Sequence, residues 1–207
     1  MFTGAYIVVL VTGYFLGSVP SGFLAGKARG IDVRTAGSGN IGATNVFRVL
    51  GKTAGSIVLA CDAFKGFAAA WWTPSLAVHF FPGAEPQRQN LALAAGVAAI
   101  LGHNFTCWLK FKGGKGIATS GGVVMAWAPL ACITALALWG IVFLSTKYVS
   151  LASIAAALIL PFAVWYWHGG PTMTLVMAAL SALAIYKHKG NIQRLLNGTE
   201  NRVGTKK

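Results

Sequence analysis

Carboxylates are nearly missing from this chain. Asp32, Asp62, Glu85 and Glu200 are the only four in 207 residues, against 17 lysines and arginines. Charged residues of both signs make up 10% of the sequence, where a globular domain carries about 25%. Four scattered acids cannot assemble the oxygen cage of a magnesium-dependent alcohol phosphotransferase. A Ser-His-Asp triad lacks support too, because Asp32 and Asp62 are the only aspartates and neither lies in a histidine-containing stretch. Cysteine is equally scarce: Cys61, Cys107 and Cys132 show no paired spacing, which argues against a disulfide framework or a zinc site. No metal and no cofactor are expected. The amino terminus has no basic residue before Lys27, and its apolar stretch from Thr3 to Gly26 outruns a signal-peptide core, so it reads as a retained spanning helix.

What is present is oil: hydrophobic residues make up 56% of the chain, and 207 residues cannot bury that much in one soluble core. An all-α polytopic membrane protein follows, read as one integral membrane domain over residues 1–207. A bilayer core about 30 Å thick takes about 20 helical residues. That ruler marks spans at Thr3 to Gly26, Thr53 to Phe81, Asn90 to Leu109, Val149 to His168 and Pro171 to Tyr186. The run Ile117 to Ser145 is too long for one span, and Gly121-Gly122 and Pro129 invite a break. Splitting it gives seven transmembrane helices, some short or broken. Five spans, with one apolar run dipping into the interface, is the fallback. Lys27, Arg29, Arg34, Arg48 and Lys52 follow the first span, while the next loop offers only Arg88 beside Glu85. By the positive-inside rule the amino terminus faces out and the carboxyl terminus in. The expected location is a membrane, with the basic loops on its cytoplasmic side. Gly13/Gly17, Gly22/Gly26 and Gly51/Gly55 have the spacing that lets helix backbones approach closely.

Three polar, basic, glycine-rich stretches interrupt the oil, and all three are expected at the cytoplasmic face. The first, Arg34 to Arg48, contains Gly37-Ser38-Gly39-Asn40-Ile41-Gly42. This matches the dinucleotide pattern G-x-G-x-x-G, but the preceding element is a membrane helix and not a strand, so the Rossmann reading fails. The physics survives: glycines such as Gly39 let amides approach an anion, a helix from Ala43 to Leu50 adds its amino end, and Ser38, Asn40, Asn45 and Arg48 add donors. The second stretch ends in Gly113-Gly114-Lys115-Gly116 at the start of an apolar helix. It lacks the first glycine and the Ser/Thr of a P-loop, yet with Lys112 and Lys115 it remains a phosphate-site candidate. His103 nearby is either a polar cap or a site residue. In the third stretch His188, Asn191 and Arg194 fall at i, i+3 and i+6, so they can face one cavity. Glu200 is expected to pair with a loop arginine and lock the tail, while Lys206 and Lys207 read as solvated. Inside the second span, Asp62 and Lys65 at i, i+3 are costly unless paired. Their expected role is to position the first stretch.

Taken together, GSGNIGATNVFR, DAFKG, GHNFTCWLKFKGGKGIAT and HKGNIQRLLNGTE closely resemble the bacterial acyl-phosphate-dependent glycerol-3-phosphate acyltransferase family, over essentially the whole chain. The resemblance implies transfer of a fatty acyl group from acyl phosphate to the sn-1 hydroxyl of glycerol 3-phosphate, giving lysophosphatidate and phosphate for phospholipid synthesis. It makes Ser38 and Arg48 essential, places glycerol 3-phosphate on Gly113, Gly114 and Gly116 with Lys112 and Lys115, puts His188 and Asn191 in the active site, and gives Glu200 a structural part. Two departures stand out: Thr106 where the family usually has proline, and Arg202 near a common lysine. The partners implied are the two phosphorylated substrates and membrane lipid, with no nucleic acid and no obligatory protein partner. The chemistry agrees with the residues, since an acyl phosphate is already activated and the protein need only orient two anions and stabilise charge. The H-x-x-x-x-D element of thioester-using acyltransferases follows none of the four histidines. A small transporter of phosphorylated anions is the competing class, but it would need its polar groups near the midplane and not at one face.

Overall fold

The computed structural model describes residues 2–168 and 170–204, except for the side chain of His168. Lys206, Lys207 and Gly169 of the expected outer turn lie outside the described residues. Among those described, the regular structure is wholly helical: α1 (Thr3–Ser18), α2 (Ser21–Lys27), α3 (Ala43–Leu50), α4 (Lys52–Phe80), α5 (Arg88–Asn104), α6 (Ile117–Trp127), α7 (Pro129–Thr146), α8 (Val149–His168), α9 (Pro171–Lys187) and α10 (Lys189–Leu196), with 3₁₀ turns at Pro82–Gln87 and Cys107–Leu109. The chain divides into two compact units, Met1–Trp127 and Ala128–Lys207.

In the first unit the initial span departs from expectation. It stops at Ser18 and resumes at Ser21, because Pro20 has no N–H and its ring would collide with the carbonyl one turn back. Val19, just before the proline, leaves the helical region (φ −53°, ψ 114°), which a following proline disfavours. Next, α1 and α5 run side by side in the same direction. A methyl group on Gly13 would press on the backbone of Ala95, and one on Gly17 on that of Ala99, so the expected glycine spacing here is a helix contact. Gly51 of the third expected pair instead has open space around it and a left-handed φ of 85°, making the turn between α3 and α4. Helix α4 runs against α1: Ala77 packs with Ala5 and Val9 at one end, and Lys65 reaches Val19 toward the other. Helix α6 runs against α5, with Gly116 beside Asn104 before its start and Trp127 over Gly96 at its end.

Among the described residues, five helical stretches are long and apolar enough to cross a membrane: Thr3–Lys27, which counts α1 and α2 together, Lys52–Phe80, Pro82–Leu109, Pro129–Thr146 and Val149–Trp167. Ile117–Trp127 and Pro171–Lys187 are shorter apolar helices. The run from Ile117 does divide, at Ala128, where Pro129 supplies the first residue of α7. In the second unit α7, α8 and α9 pack in sequence order. Ile141, Leu144, Phe162 and Leu175 stay exposed on their outer faces, as lipid-facing positions do. After α10 the tail returns to the α7–α8 turn, where the Val203 N–H donates to the Lys147 carbonyl (3.0 Å) and Arg202 Nε to that of Thr146 (3.1 Å).

Candidate active site

Breaking a helix at a proline strips carbonyls of their intrahelical partners, and a buried orphan carbonyl is costly. Two residues from elsewhere in the first unit donate to them, at Val19 in addition to the local Ser21 N–H (3.0 Å). Lys65 Nζ donates to the Val19 carbonyl (2.8 Å), and Thr106 Oγ1 donates to that of Ser18 (2.6 Å). Lys65 is paired with Asp62 at 2.8 Å, and His103 Nδ1 lies 3.7 Å from the same carboxylate. All four side chains are buried. Tyr14 adds a hydrogen bond from its hydroxyl to the Phe105 carbonyl (2.8 Å). The α1–α2 break, the middle of α4 and the end of α5 are therefore tied at one level. His103 lies within this knot, beside the Asp62 carboxylate.

The first polar stretch is stapled from within. Asp32 and Arg34 form a bidentate pair, closest at 2.6 Å, and Arg34 lies 4.8 Å from the Phe23 ring centroid. Those hydrogen bonds hold the Asp32 carboxyl down to about 2. Asn45, expected as a donor to substrate, has a different occupation. Its Oδ1 accepts the Ser38 N–H (2.7 Å) and its Nδ2 donates to the Val33 and Ala36 carbonyls (2.9 and 3.1 Å). The amide is buried and spent on loop shape. Asn40 Oδ1 caps the Gly42 N–H (2.8 Å). What this scaffold leaves at the surface are the Ser38 side chain, Gly39 and, from the last turn of α3, Arg48. A small core of Val33, Ile41, Val46 and Val58 also includes Leu109, so the first and second stretches pack together.

The second stretch corrects another expectation. The Gly113 and Gly114 amides do not form an anion nest: they donate to the carbonyls of Asn104 (3.2 Å) and His103 (3.0 Å). A side chain at Gly114 would run into the His103 ring. These glycines are needed because the loop lies directly on the end of α5. The tight return places Lys110 and Phe111 at φ 54° and 60°, in the left-handed region that non-glycine residues seldom occupy. Gly116 follows at φ 80°, and α6 begins at Ile117 with Lys112 exposed and Lys115 half-buried ahead of it.

The third stretch lies in the second unit. His188 ends α9, with Nδ1 2.8 Å from the Ala184 carbonyl. A carbonyl only accepts, so Nδ1 carries the proton and Nε2 is the basic nitrogen of the neutral ring. Asn191 and Arg194, expected to face a shared cavity with His188, both turn to Glu200. Asn191 Nδ2 donates to Oε1 (2.7 Å), Arg194 Nε to Oε2 (2.7 Å), and Ser150 Oγ adds a third bond (3.0 Å). Glu200 thus locks the tail, through an arginine on α10 and not on a loop. Burial pushes its carboxyl up, but the three donors outweigh that and leave it below the ordinary range. Sequence reasoning missed Ser18, Tyr14 and Ser150, whose roles depend on distant partners. Thr106 alone carried a signal, as a departure from the family's proline.

The glycerol-3-phosphate acyltransferase family model matches residues 7–198. Glycerol-3-phosphate acyltransferase from Bacillus velezensis is 42% identical over 199 residues, which is 95% of this chain and 96% of that one. The enzyme of that name from Geotalea daltonii is 43% identical over 196 residues, covering 94% and 96%. This chain belongs to the glycerol-3-phosphate acyltransferase family. Among solved structures it is similar to PlsY (YgiH), described as an integral membrane glycerol 3-phosphate acyltransferase. The glycerol 3-phosphate form of that protein superposes with a TM-score of 0.87 at 38% identity, covering 98% of this chain and 97% of that one. Its lysophosphatidic acid form gives 0.84 with the same identity and coverage. The family relationship thus runs across both compact units.

Proposed function

We infer that this protein is a membrane acyltransferase that moves a fatty acyl group from acyl phosphate to the sn-1 hydroxyl of glycerol 3-phosphate, releasing phosphate and lysophosphatidate for phospholipid synthesis. The observation that carries the reading is the family match over residues 7–198. It is supported by PlsY structures named for glycerol 3-phosphate and lysophosphatidic acid, the acceptor and the product of this reaction. The match spans residues of both units, and we read the chain as one acyltransferase domain.

The substrate hydroxyl oxygen attacks the acyl carbonyl carbon, the carbon–oxygen bond to phosphate breaks, and phosphate leaves with the electron pair. His188 Nε2, or the phosphate of the substrate itself, takes the hydroxyl proton. Ser38, Arg48 and Lys115 hold the acyl-phosphate group and the charge that develops on it. Gly39 and Asn40 shape the approach to them, and Lys112 and Gly116 flank the phosphate end of glycerol 3-phosphate. Asn45, Gly113 and Gly114 act one step back by fixing the loops, as Asn191 and Arg194 do through Glu200. The knot of Asp62, Lys65 and His103 positions the first stretch. The chain resides in the bacterial inner membrane with seven crossings, the amino terminus outside and the reacting groups on the cytoplasmic side.

Incubating the purified protein in detergent with palmitoyl phosphate and glycerol 3-phosphate, and following released phosphate, tests the activity directly. Release that depends on both substrates is expected. Release no faster than spontaneous hydrolysis would sink the assignment. Full turnover of His188→Ala at saturating substrate would remove the histidine from the proton step and leave the substrate phosphate as the base.

A further inference from the structure

The first unit has a cavity of about 530 Å³ that the acyl-transfer reading does not use. It opens beside Trp71, Pro74 and Ser75 of α4, Glu85 of the 3₁₀ turn, Arg88 of α5 and Trp127 of α6. The first polar stretch packs near Gly55 of α4, where Phe47 contacts it. Twenty residues of helix separate Gly55 from Ser75, about 30 Å at 1.5 Å per residue, which is roughly the thickness of a bilayer core. The cavity therefore belongs to the opposite membrane interface from the phosphate-handling loops.

Its lining is divided in character. Its apolar part comes from the two indoles and Pro74, and tryptophan is favoured at headgroup level. Its polar part is a dipole of full charges: Arg88 Nε and Nη2 donate to Glu85 Oε1 and Oε2 (2.8 and 2.9 Å), and Arg88 Nη1 donates to Ser75 Oγ (2.8 Å). These bonds use three of the five N–H groups of a guanidinium and one lone pair on each carboxylate oxygen, so both ends keep capacity for another partner. Each charge is about half exposed. A purely anionic ligand would meet Glu85, and a purely cationic one would meet Arg88. A ligand carrying both signs a few ångströms apart matches the pair, with a phosphate against Arg88 and an ammonium against Glu85 and the indole faces. The volume falls within the range of small-ligand sites, about 300–1,000 Å³.

We propose that this cavity seats the headgroup of a zwitterionic phospholipid with a primary ammonium, phosphatidylethanolamine, at the interface remote from the catalytic loops. The test is native mass spectrometry of the full chain released from micelles containing equal phosphatidylethanolamine and phosphatidylglycerol. The wild-type protein is expected to retain one phosphatidylethanolamine at several-fold excess over phosphatidylglycerol. Glu85→Gln leaves a lone cation and is expected to shift the preference toward phosphatidylglycerol, whereas Arg88→Gln is expected to lower retention of both. Neither side chain belongs to the acyl-transfer machinery, so turnover in detergent stays at the wild-type level and reports that the variants are folded. Equal retention of the two lipids by the wild type, a preference for phosphatidylglycerol, or an unchanged ratio in Glu85→Gln would overturn the proposal.

Discussion

At the scale of single residues, Asn45, which reads as a substrate ligand, and Glu200, which reads as a structural partner, both make internal hydrogen bonds whose energetics can be tested. Asn45 uses its amide in both directions, so Asn45→Asp is a sharper probe than truncation. The carboxylate would keep the bond from the Ser38 N–H but set a second oxygen against the Val33 and Ala36 carbonyls. Losing two bonds at about 1 kcal/mol each, with buried acceptors left unpaired, should cost about 2–4 kcal/mol of local stability. Turnover should fall at least tenfold, with faster proteolysis of the loop. Glu200 gives a pH signature. Its folded-state carboxyl lies below the ordinary 4.5, so its charge stabilises the tail above that value, and the contribution is lost as pH falls through the lowered one. Glu200→Gln should therefore be less stable than wild type at pH 7, while the two converge in acid. Thermal melts of both proteins from pH 7 to 3 would check this, and a gap that persists unchanged at pH 3 would contradict it.

At the scale of elements, the α1–α2 break is the device that joins the membrane helices to the reacting loops. Lys65 caps the Val19 carbonyl and neutralises Asp62 at once, so Lys65→Met leaves a buried carboxylate without its counter-ion. Removing one partner of such a pair typically costs about 3–5 kcal/mol. The variant should be poorly folded, and Lys65→Met with Asp62→Leu should recover much of the stability but not the activity if the Val19 cap matters to the first stretch. Equal activity in the double variant and the wild type would show that the cap is dispensable. The break also marks where sequence reading stops. Helix α3 and the division at Ala128 were legible because local signals announce them: glycine and asparagine before Ala43, and Pro129 inside an overlong run. Pro20 was just as visible, but mean hydropathy over Thr3 to Gly26 hides a break whose cost is met by Lys65 and Thr106, 46 and 88 residues away. The glycines at 113 and 114 misled for the same reason. Glycine signals close backbone approach, and only the fold says whether the visitor is an anion or the end of α5.

At the scale of the whole molecule, the proposed seven crossings rest on parity more than on helix length. The tail donates to the α7–α8 turn through Val203 and Arg202, so that turn and the tail share one side of the membrane. An even number of crossings must separate Lys147 from the tail. Because α8 is long and apolar enough to cross, the proposed arrangement has α9 cross back, although its 17 residues give about 25 Å of helix, short of a full hydrocarbon core. A five-span arrangement in which α9 only dips would put Lys147 outside and the tail inside, breaking these contacts. Charge agrees, since a lysine sits at the α7–α8 turn and nothing charged stands between His168 and Pro171. With the three native cysteines replaced, single cysteines at Thr35, Lys112, Lys147, Glu85 and Thr172 can be probed with a membrane-impermeant maleimide. Glu85→Cys and Thr172→Cys should label in intact cells, and the other three only after permeabilisation. Labelling of Lys147→Cys from outside would overturn the seven-span arrangement, and labelling of Thr35→Cys or Lys112→Cys from outside would remove the reacting loops from the cytoplasmic face.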